Sequence, residues 1–325
     1  MRVIAYLHYL PPHRFTGGEL MTADLLSHLI ERGHEVDVYA QYVPRAYEYR
    51  GIPVHPGAPD PWVAQSYDIF MTHPEIRTMA WSSVRGMPYA AVVHNLNPLT
   101  MRSLDRQPPT LTIANSQWTC DHLPDGVRDT AHILHPPVAD ATPVVSGRAW
   151  TMVNHSPEKG GGILDTIARR NPDLRFQAVV GGHGEQVRGL PANVRVIRPT
   201  HDMDAVYADA RGLLFPSRSE TYGKAVAEAL VRGIPVVASD LPGIREAGGD
   251  APVYCEVGDV DQFEGAVHTL QARAAYRRAS RVSLERGEFL RRRSVRDLDR
   301  WVDLLEGIKP AQEKARWVCR LKATW

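Results

Sequence analysis

Cysteine is scarce: Cys120, Cys255 and Cys319 are the only three in 325 residues, far apart and odd in number. A disulfide framework needs more of them, and no CxxC or Cys/His spacing marks a zinc site. Long hydrophobic runs are also missing, so no stretch of about 18 apolar residues reads as a membrane span. The first apolar run, Val3 to Leu7, is far too short for a signal-peptide core and soon meets Pro11-Pro12. It reads as a buried strand, and the expected location is the cytoplasm. Charge of one sign is lacking too. Against 38 basic side chains stand 37 acidic ones, a formal net charge of +1, which leaves no global field for nucleic acid and no acidic tail.

What is present is ordinary globular material, 43% hydrophobic and 23% charged, in a chain comfortable for two domains. A strand at Val3–Leu7, a helix over Glu19–Arg32 and a strand at His34–Ala40 make the unit that builds parallel sheets. Further strands fit Asp68–Thr72, Tyr89–His94, Thr110–Ala114 and Ala131–Leu134. The proline-rich stretch His135-Pro-Pro-Val-Ala-Asp-Ala-Thr-Pro-Val-Val-Ser-Gly reads as a linker. A second series follows, with strands at Trp150–Asn154, Arg175–Val180, Val194–Ile197, Gly212–Phe215 and Pro235–Ser239. Its helices are Gly162–Arg170, Gly223–Arg232 and a segment from Asp261. A basic stretch at Arg291–Arg293 precedes a final helix, Val295–Leu305. The expected fold class is α/β, two Rossmann-like domains with parallel sheets facing a central cleft. The domains are expected at 1–145 and 146–290, with 291–325 a C-terminal helix and tail packing back on the first.

The sharpest segment runs from Phe215 to Ser239. A strand enters a polar loop, and the loop enters a helix whose first turn contains Gly223. Free N–H groups and the helix dipole make such a start attractive to phosphate. Glu228 lies about 9 Å further along the helix, at about 1.5 Å per residue, a distance that suits a ribose diol beyond a pyrophosphate. Glu220, in the loop, can accept hydrogen bonds from sugar hydroxyls. An isolated pair of glutamates at this spacing is more often a surface loop and a carboxylate complementing the dipole.

The whole segment resembles the donor-binding motif of GT-B glycosyltransferases, in particular the large retaining group known as family 4. The family pattern runs E-x-F-G, then E-A, then G-x-P-V-V-A-S, then a glycine and a glutamate. Here stand Glu220, Tyr222-Gly223, Glu228-Ala229, Gly233-Ile-Pro235-Val-Val-Ala-Ser239, and Pro242-Gly243 with Glu246. Tyr222 replaces the usual phenylalanine, and Pro242 a more common glycine. The resemblance implies that Glu220 contacts the transferred sugar, that the amides around Thr221, Tyr222, Gly223 and Lys224 hold the donor phosphates, and that Glu228 holds the ribose. Thr16-Gly17-Gly18-Glu19 is similar to the family's glycine-rich loop near the diphosphate. Val92-Val93-His94-Asn95 resembles its strand-end His-Asp, with Asn95 for the aspartate, and makes His94 a catalytic candidate; His73 is a weaker one. Ser156-Pro-Glu-Lys159-Gly160 resembles the element whose lysine neutralises the leaving phosphate, and Asn154 stands where the family carries a partner arginine. Arg218 and Arg245 are substitutes to consider. Gly181-Gly182-His183-Gly184 matches a G-x-G turn near the donor, and the base is expected against the backbone around Arg198 and Pro199.

The resemblance therefore implies a retaining, metal-independent glycosyltransferase that moves a hexosyl-type sugar from a nucleotide donor, UDP-sugar by family frequency, to a hydroxyl acceptor. Catalysis is expected from His94, Lys159 and Glu220, with no cofactor. Two Asp-x-Asp triplets, Asp202-Met-Asp204 and Asp259-Val-Asp261, are expected to cap helices rather than hold a metal. A nucleotide-sugar epimerase and an inactive nucleotide-sugar-binding protein are the rivals; a dehydrogenase is disfavoured because no G-x-G-x-x-G follows the first strand. Phe15, Tyr42, Tyr47, Tyr49 and Trp62 offer aromatic material for an acceptor, or are core. The basic tail with Lys314, Trp317 and Trp325 could touch an anionic membrane, though packing on the protein is favoured.

Overall fold

The computed structural model describes residues 1–76, 84, 86–144, 147–182 and 184–308. His183, Cys319 and the tail with Lys314, Trp317 and Trp325 lie outside these. The chain divides into two compact units. One comprises Met1–Arg14, Gly18–His135 and the chain from Asp297; the other comprises Phe15–Gly17 and Pro136–Arg296. The junction at His135/Pro136 comes ten residues before the 145/146 boundary expected from the linker.

In the first unit β1 (Arg2–Leu7), β2 (Glu35–Ala40), β3 (Tyr47–Tyr49), β4 (Ile52–Pro56), β5 (Ile69–Thr72), β6 (Tyr89–Val93), β7 (Leu111–Ala114) and β8 (Ala131–Ile133) form one sheet, ordered β3-β4-β2-β1-β5-β6-β7-β8. Its helices are α1 (Gly17–Glu31), α2 (Pro61–Ala64), α3 (Pro98–Arg106), α4 (Gln117–Asp121) and α5 (Asp125–Arg128). β3 pairs antiparallel with β4, so this sheet is mixed where a parallel one was expected. The two short strands escaped the pattern because Tyr47, Tyr49 and Pro53 are only half-buried, which blurs the alternation. Ile4, Phe70 and Val92, on three neighbouring strands, are fully buried. Strands enclosed on both faces read as continuous apolar runs, as these do.

In the second unit β9 (Ala149–Val153), β10 (Arg175–Val179), β11 (Val194–Ile197), β12 (Ala210–Phe215), β13 (Val236–Ser239) and β14 (Val253–Cys255) pair in parallel, in the order β11-β10-β9-β12-β13-β14. The helices are α6 (Gly161–Arg170), α7 (Met203–Ala208), α8 (Lys224–Val231), α9 (Pro242–Gly248), α10 (Val260–Thr269) and α11 (Arg273–Glu306). From β9 the chain winds outward to β11, then returns to β12 and winds the other way. The carboxyl ends of β9 and β12 therefore flank the crevice where open α/β sheets take ligands.

The expected break between the arginine run and a final helix does not occur: α11 is one helix of 34 residues. Arg291 and Arg292 are tied within it to Glu288, so the like charges are neutralised on the helix surface and leave its backbone intact. Its last turns join the first unit, where Trp301, Val302 and Leu305 are buried in the same core as Val3, Leu25 and Leu29, and the Trp301 indole donates to the Leu25 carbonyl at 3.1 Å. No helix among the described residues is long and apolar enough to cross a membrane.

Candidate functional site

Two adjacent strands of the second unit end in the same device. After β9 the chain turns through Ser156–Lys159 to Gly160, which has φ +84° and starts α6; after β12 it turns through Pro216–Tyr222 to Gly223, which has φ +88° and starts α8. Neither helix has a side-chain cap. Glycine is required at 223 for the left-handed backbone, not for space: an added Cβ would sit in ordinary contact with Phe215 at 3.6 Å and Ile244 at 3.7 Å. The left-handed backbone is thus a reason for glycine here beside the phosphate approach expected from the sequence. α8 begins at Lys224, one residue later than expected.

The two loops are laced together. Lys159 Nζ lies 2.6 Å from Glu220 Oε1, Ser217 Oγ donates to the same oxygen at 3.0 Å, and the Arg218 N–H donates to the Glu158 carbonyl at 3.0 Å. Lys159 and Glu220 are mostly buried, so the charged pair sits half out of water at the crevice between β9 and β12. Glu228 accepts from the Tyr207 hydroxyl at 3.0 Å, with Lys224 Nζ 3.8 Å away. Burial, with Glu228 beside it, raises the Tyr207 hydroxyl pKa. The Tyr222 ring is core rather than surface, and its hydroxyl accepts from Arg293, which is why tyrosine can stand for phenylalanine there. Thr221 is half-buried, and Gly243 packs so closely that a Cβ there would meet the Thr221 carbonyl oxygen at 2.5 Å.

Asn154 follows β9 directly with φ +62°. Its Oδ1 accepts from the Ser156 N–H at 3.2 Å and from Gln186 Nε2 at 2.9 Å, and its side chain fills the space a Cβ on Gly181 would need. It fastens the loop; sequence reasoning had no signal for Gln186, its partner 32 residues away. Arg245, one candidate to replace a missing cation, is held by Asp240 and lies over the Tyr254 ring at 4.2 Å. Arg218 is exposed, as are Arg198 at the end of β11 and Gly182 beyond β10. Asp202 and Asp259 accept from Ala205 N and Gln262 N, each at 3.0 Å, and so cap α7 and α10 as expected. Their partners Asp204 and Asp261 pair with Arg232 and Arg170.

The first unit gathers a second group of residues at its sheet edge. Gly17 and Gly18 occupy the first turn of α1 rather than a preceding loop. A Cβ on Gly18 would come within 2.6 Å of the His94 ring, so glycine lets that imidazole lie against the helix start. His73 and His94 follow the neighbouring strands β5 and β6, with ring centroids 4.4 Å apart. Glu75 and Glu19 complete the group; Glu19 closes the glycine-rich motif without a role assigned to it, and nothing in the sequence pattern had singled out Glu75. Glu75 accepts from Asn95 Nδ2 at 3.3 Å and Thr100 Oγ1 at 3.1 Å. A carboxylate thus stands beside His94 although residue 95 is an asparagine. Of the aromatic candidates, Tyr47 and Tyr49 pack on the core, Trp62 is 82% exposed, and half-exposed Tyr42 lies beside the rings of His8 and Tyr9.

Residues 163–273 match the family model described as glycosyl transferases group 1. A stretch of 74 residues, 23% of this chain, is 36% identical to the O-antigen chain mannosyltransferase B of Escherichia coli. The match spans only 19% of the length of that relative. Among solved structures, sucrose-phosphate synthase from Thermosynechococcus elongatus superposes with a TM-score of 0.78 at 14% identity, over 95% of this chain and 100% of that one. Anabaena Alr3699/HepE in complex with UDP-glucose gives 0.76 at 17% identity, over 94% and 100%. The chain thus has the GT-B fold, and within its second unit residues 163–273 match the group 1 glycosyl transferase model.

Proposed function

We propose that the protein is a retaining glycosyltransferase that moves a hexosyl-type sugar from a nucleotide donor, a UDP-sugar by preference, to a hydroxyl of a glycan acceptor. The observation that carries this reading is the Lys159–Glu220 pair, at the crevice between β9 and β12 and between two uncapped helix starts. A nucleoside diphosphate needs positive potential where it departs, and a sugar needs an acceptor of hydroxyl hydrogen bonds beside it. Lys159 with the amide ends of α6 and α8 supplies the first. Glu220 supplies the second. Glu228, already accepting one hydroxyl from Tyr207, is assigned to the ribose, and the edge at Arg198 to the base. The second unit is then the donor domain. His94 is the catalytic candidate of the first unit, to which the acceptor is assigned.

With a lysine and two helix ends at the diphosphate, the proposal asks for no metal there. The departing phosphate draws the proton from the acceptor hydroxyl as that hydroxyl attacks the same face, which retains the anomeric configuration. The UDP-glucose complex of the structural neighbour supports the donor, and the O-antigen relative supports a glycan acceptor. Thermal stabilisation against a panel of nucleotide sugars tests this. A bound donor raises the melting temperature by mass action, by about 2.7 kcal/mol of stability at a hundred times Kd. The shift should disappear in Glu228→Ala, and a panel in which no nucleotide sugar stabilises the wild type overturns the reading.

A further inference from the structure

We propose that His73, Glu75 and His94 form a binding site for one divalent transition-metal ion of the zinc class, with Glu19 as a further carboxylate facing it. The site lies wholly within the first unit and uses no residue of the donor site assigned to the second, although it shares His94 with the proposed transfer reaction. Its geometry comes first. One ligand atom from each of the three side chains lies within 4.8 Å of the others. The topology makes this so: β5 and β6 are neighbours in register, Thr72 opposite Ala91, and both run out at the same sheet edge. His73 and Glu75 follow one strand, and His94 the other.

The surroundings hold these donors as metal ligands are held. Thr22 Oγ1 donates its single proton to the Gly18 carbonyl at 2.9 Å, so its 2.9 Å bond with His73 must be donated by the imidazole Nε2–H. The lone pair of His73 is therefore on Nδ1, and the tautomer is fixed by a hydroxyl one helix turn from Gly18. Glu75 accepts from Asn95 Nδ2 at one oxygen, and Thr100 Oγ1, 2.7 Å from Asn95 Oδ1, lies 3.1 Å from the other, which leaves lone pairs for an ion.

Glu19 supplies a second, independent observation. Glu19 is only 7% exposed, yet among the described residues its Oε2 has no hydrogen-bond partner. It lies in electrostatic contact with both His94 and Glu75. A buried carboxylate oxygen with nothing to accept from is costly, and a second carboxylate beside it adds repulsion. A divalent cation between them offsets both. Two nitrogens with carboxylate oxygen favour zinc, cobalt or manganese over magnesium or calcium, which take oxygen alone.

The test uses untagged full-length protein, stripped with EDTA and titrated with zinc chloride by calorimetry, with metal counted by mass spectrometry after gel filtration. One zinc per chain is expected. Glu75→Gln and His94→Gln should each lose it, and Thr22→Val, which frees the His73 ring, should weaken it by about 10–100-fold. Should a variant fail to fold, cobalt(II) bound to the wild type reports the ligands directly, with d–d bands expected for mixed imidazole and carboxylate coordination. Wild type that retains no zinc overturns the proposal. So does zinc retained equally by the folded Glu75→Gln and His94→Gln proteins, which places it on other histidines. Because binding is read without any sugar donor, its failure is distinct from failure of the transferase reading.

Discussion

Removing the charge of Lys159 while keeping its length, as in Lys159→Met, separates its structural role from its chemical one. In the folded protein the ammonium is 2.6 Å from Glu220 Oε1, with the two side chains 30% and 14% exposed. Pairs with this access to water contribute about 1 kcal/mol or less, because desolvation and side-chain entropy offset most of the attraction. Glu220 also keeps the Ser217 hydroxyl when the lysine goes, and the loops keep their Arg218-to-Glu158 backbone bond. The melting temperature should therefore fall by only about 2–4 °C. Turnover is different. If Lys159 exchanges Glu220 for the departing diphosphate, its interaction strengthens as negative charge develops. Loss of one such preorganised contact costs about 10²–10³ in kcat, roughly 3–4 kcal/mol.

The assay is nucleotide release coupled to sugar transfer, at saturating donor, beside a thermal melt of the same samples. Stability falling little while kcat falls by two orders of magnitude or more is the expected split. Lys159→Arg, which restores the charge in a different shape, should recover part of the kcat. A Lys159→Met enzyme keeping more than about a tenth of wild-type kcat would refute the reasoning, since a charge worth under 1.4 kcal/mol is not carrying the leaving group.

Gly223→Ala should cost about 1–2 kcal/mol, from φ +88° and not from a clash, read as a lower urea midpoint with an unchanged m-value. Asn154→Arg, the residue usual in the family at this place, should destabilise by about 2 kcal/mol, since it loses two hydrogen bonds and puts arginine at φ +62°. A chemical denaturation series in which it stabilises the protein would contradict that. Burial, with Asp259 nearby, pushes the Cys255 thiol up to about 11, so iodoacetamide at pH 8 should label it only after unfolding. This thiol's stabilisation is complete below the unfolded value near 8.5 and lost as pH rises through about 11; Cys255→Ala should remove up to about 3 kcal/mol of that slope.

The strands were legible because enclosure on both faces leaves a run such as Leu213–Phe215 or Val236–Ala238 no polar position. Ends were less legible. α1 starts at Gly17, two residues before the apolar spacing begins, because a helix start is set by backbone freedom and not by periodicity. In α11 the arginine run read as an interruption, although i,i+3 and i,i+4 pairing with Glu288 makes it compatible with a helix. Glu220, Gly223 and Glu228 stood out in the sequence as one group because one loop and one helix hold them within nine residues. The group around His94 was not. Glu19, His73 and Glu75 meet it only through the order of strands, which places residues 19 and 75 beside 94. No local pattern carries that information.

Asn154 shows how the sequence departs from a family pattern without abandoning its physics. The position follows a strand and demands a left-handed residue, and asparagine tolerates that backbone far better than arginine. Once there, it holds Gln186, and Gln186 holds the N–H groups of His155 and Gly181, so the loop leading to α6 is built on one side chain. A loop fixed in this way positions backbone dipoles rather than a mobile cation. Two helices begin at its edge and at the adjacent strand, both through left-handed glycines and both without side-chain caps. Each start brings about half a positive charge that no rotamer change can withdraw. Lys159, paired with Glu220 beside them, adds a side-chain charge to these fixed dipoles, and that is why its removal is the sharpest test of the proposed site.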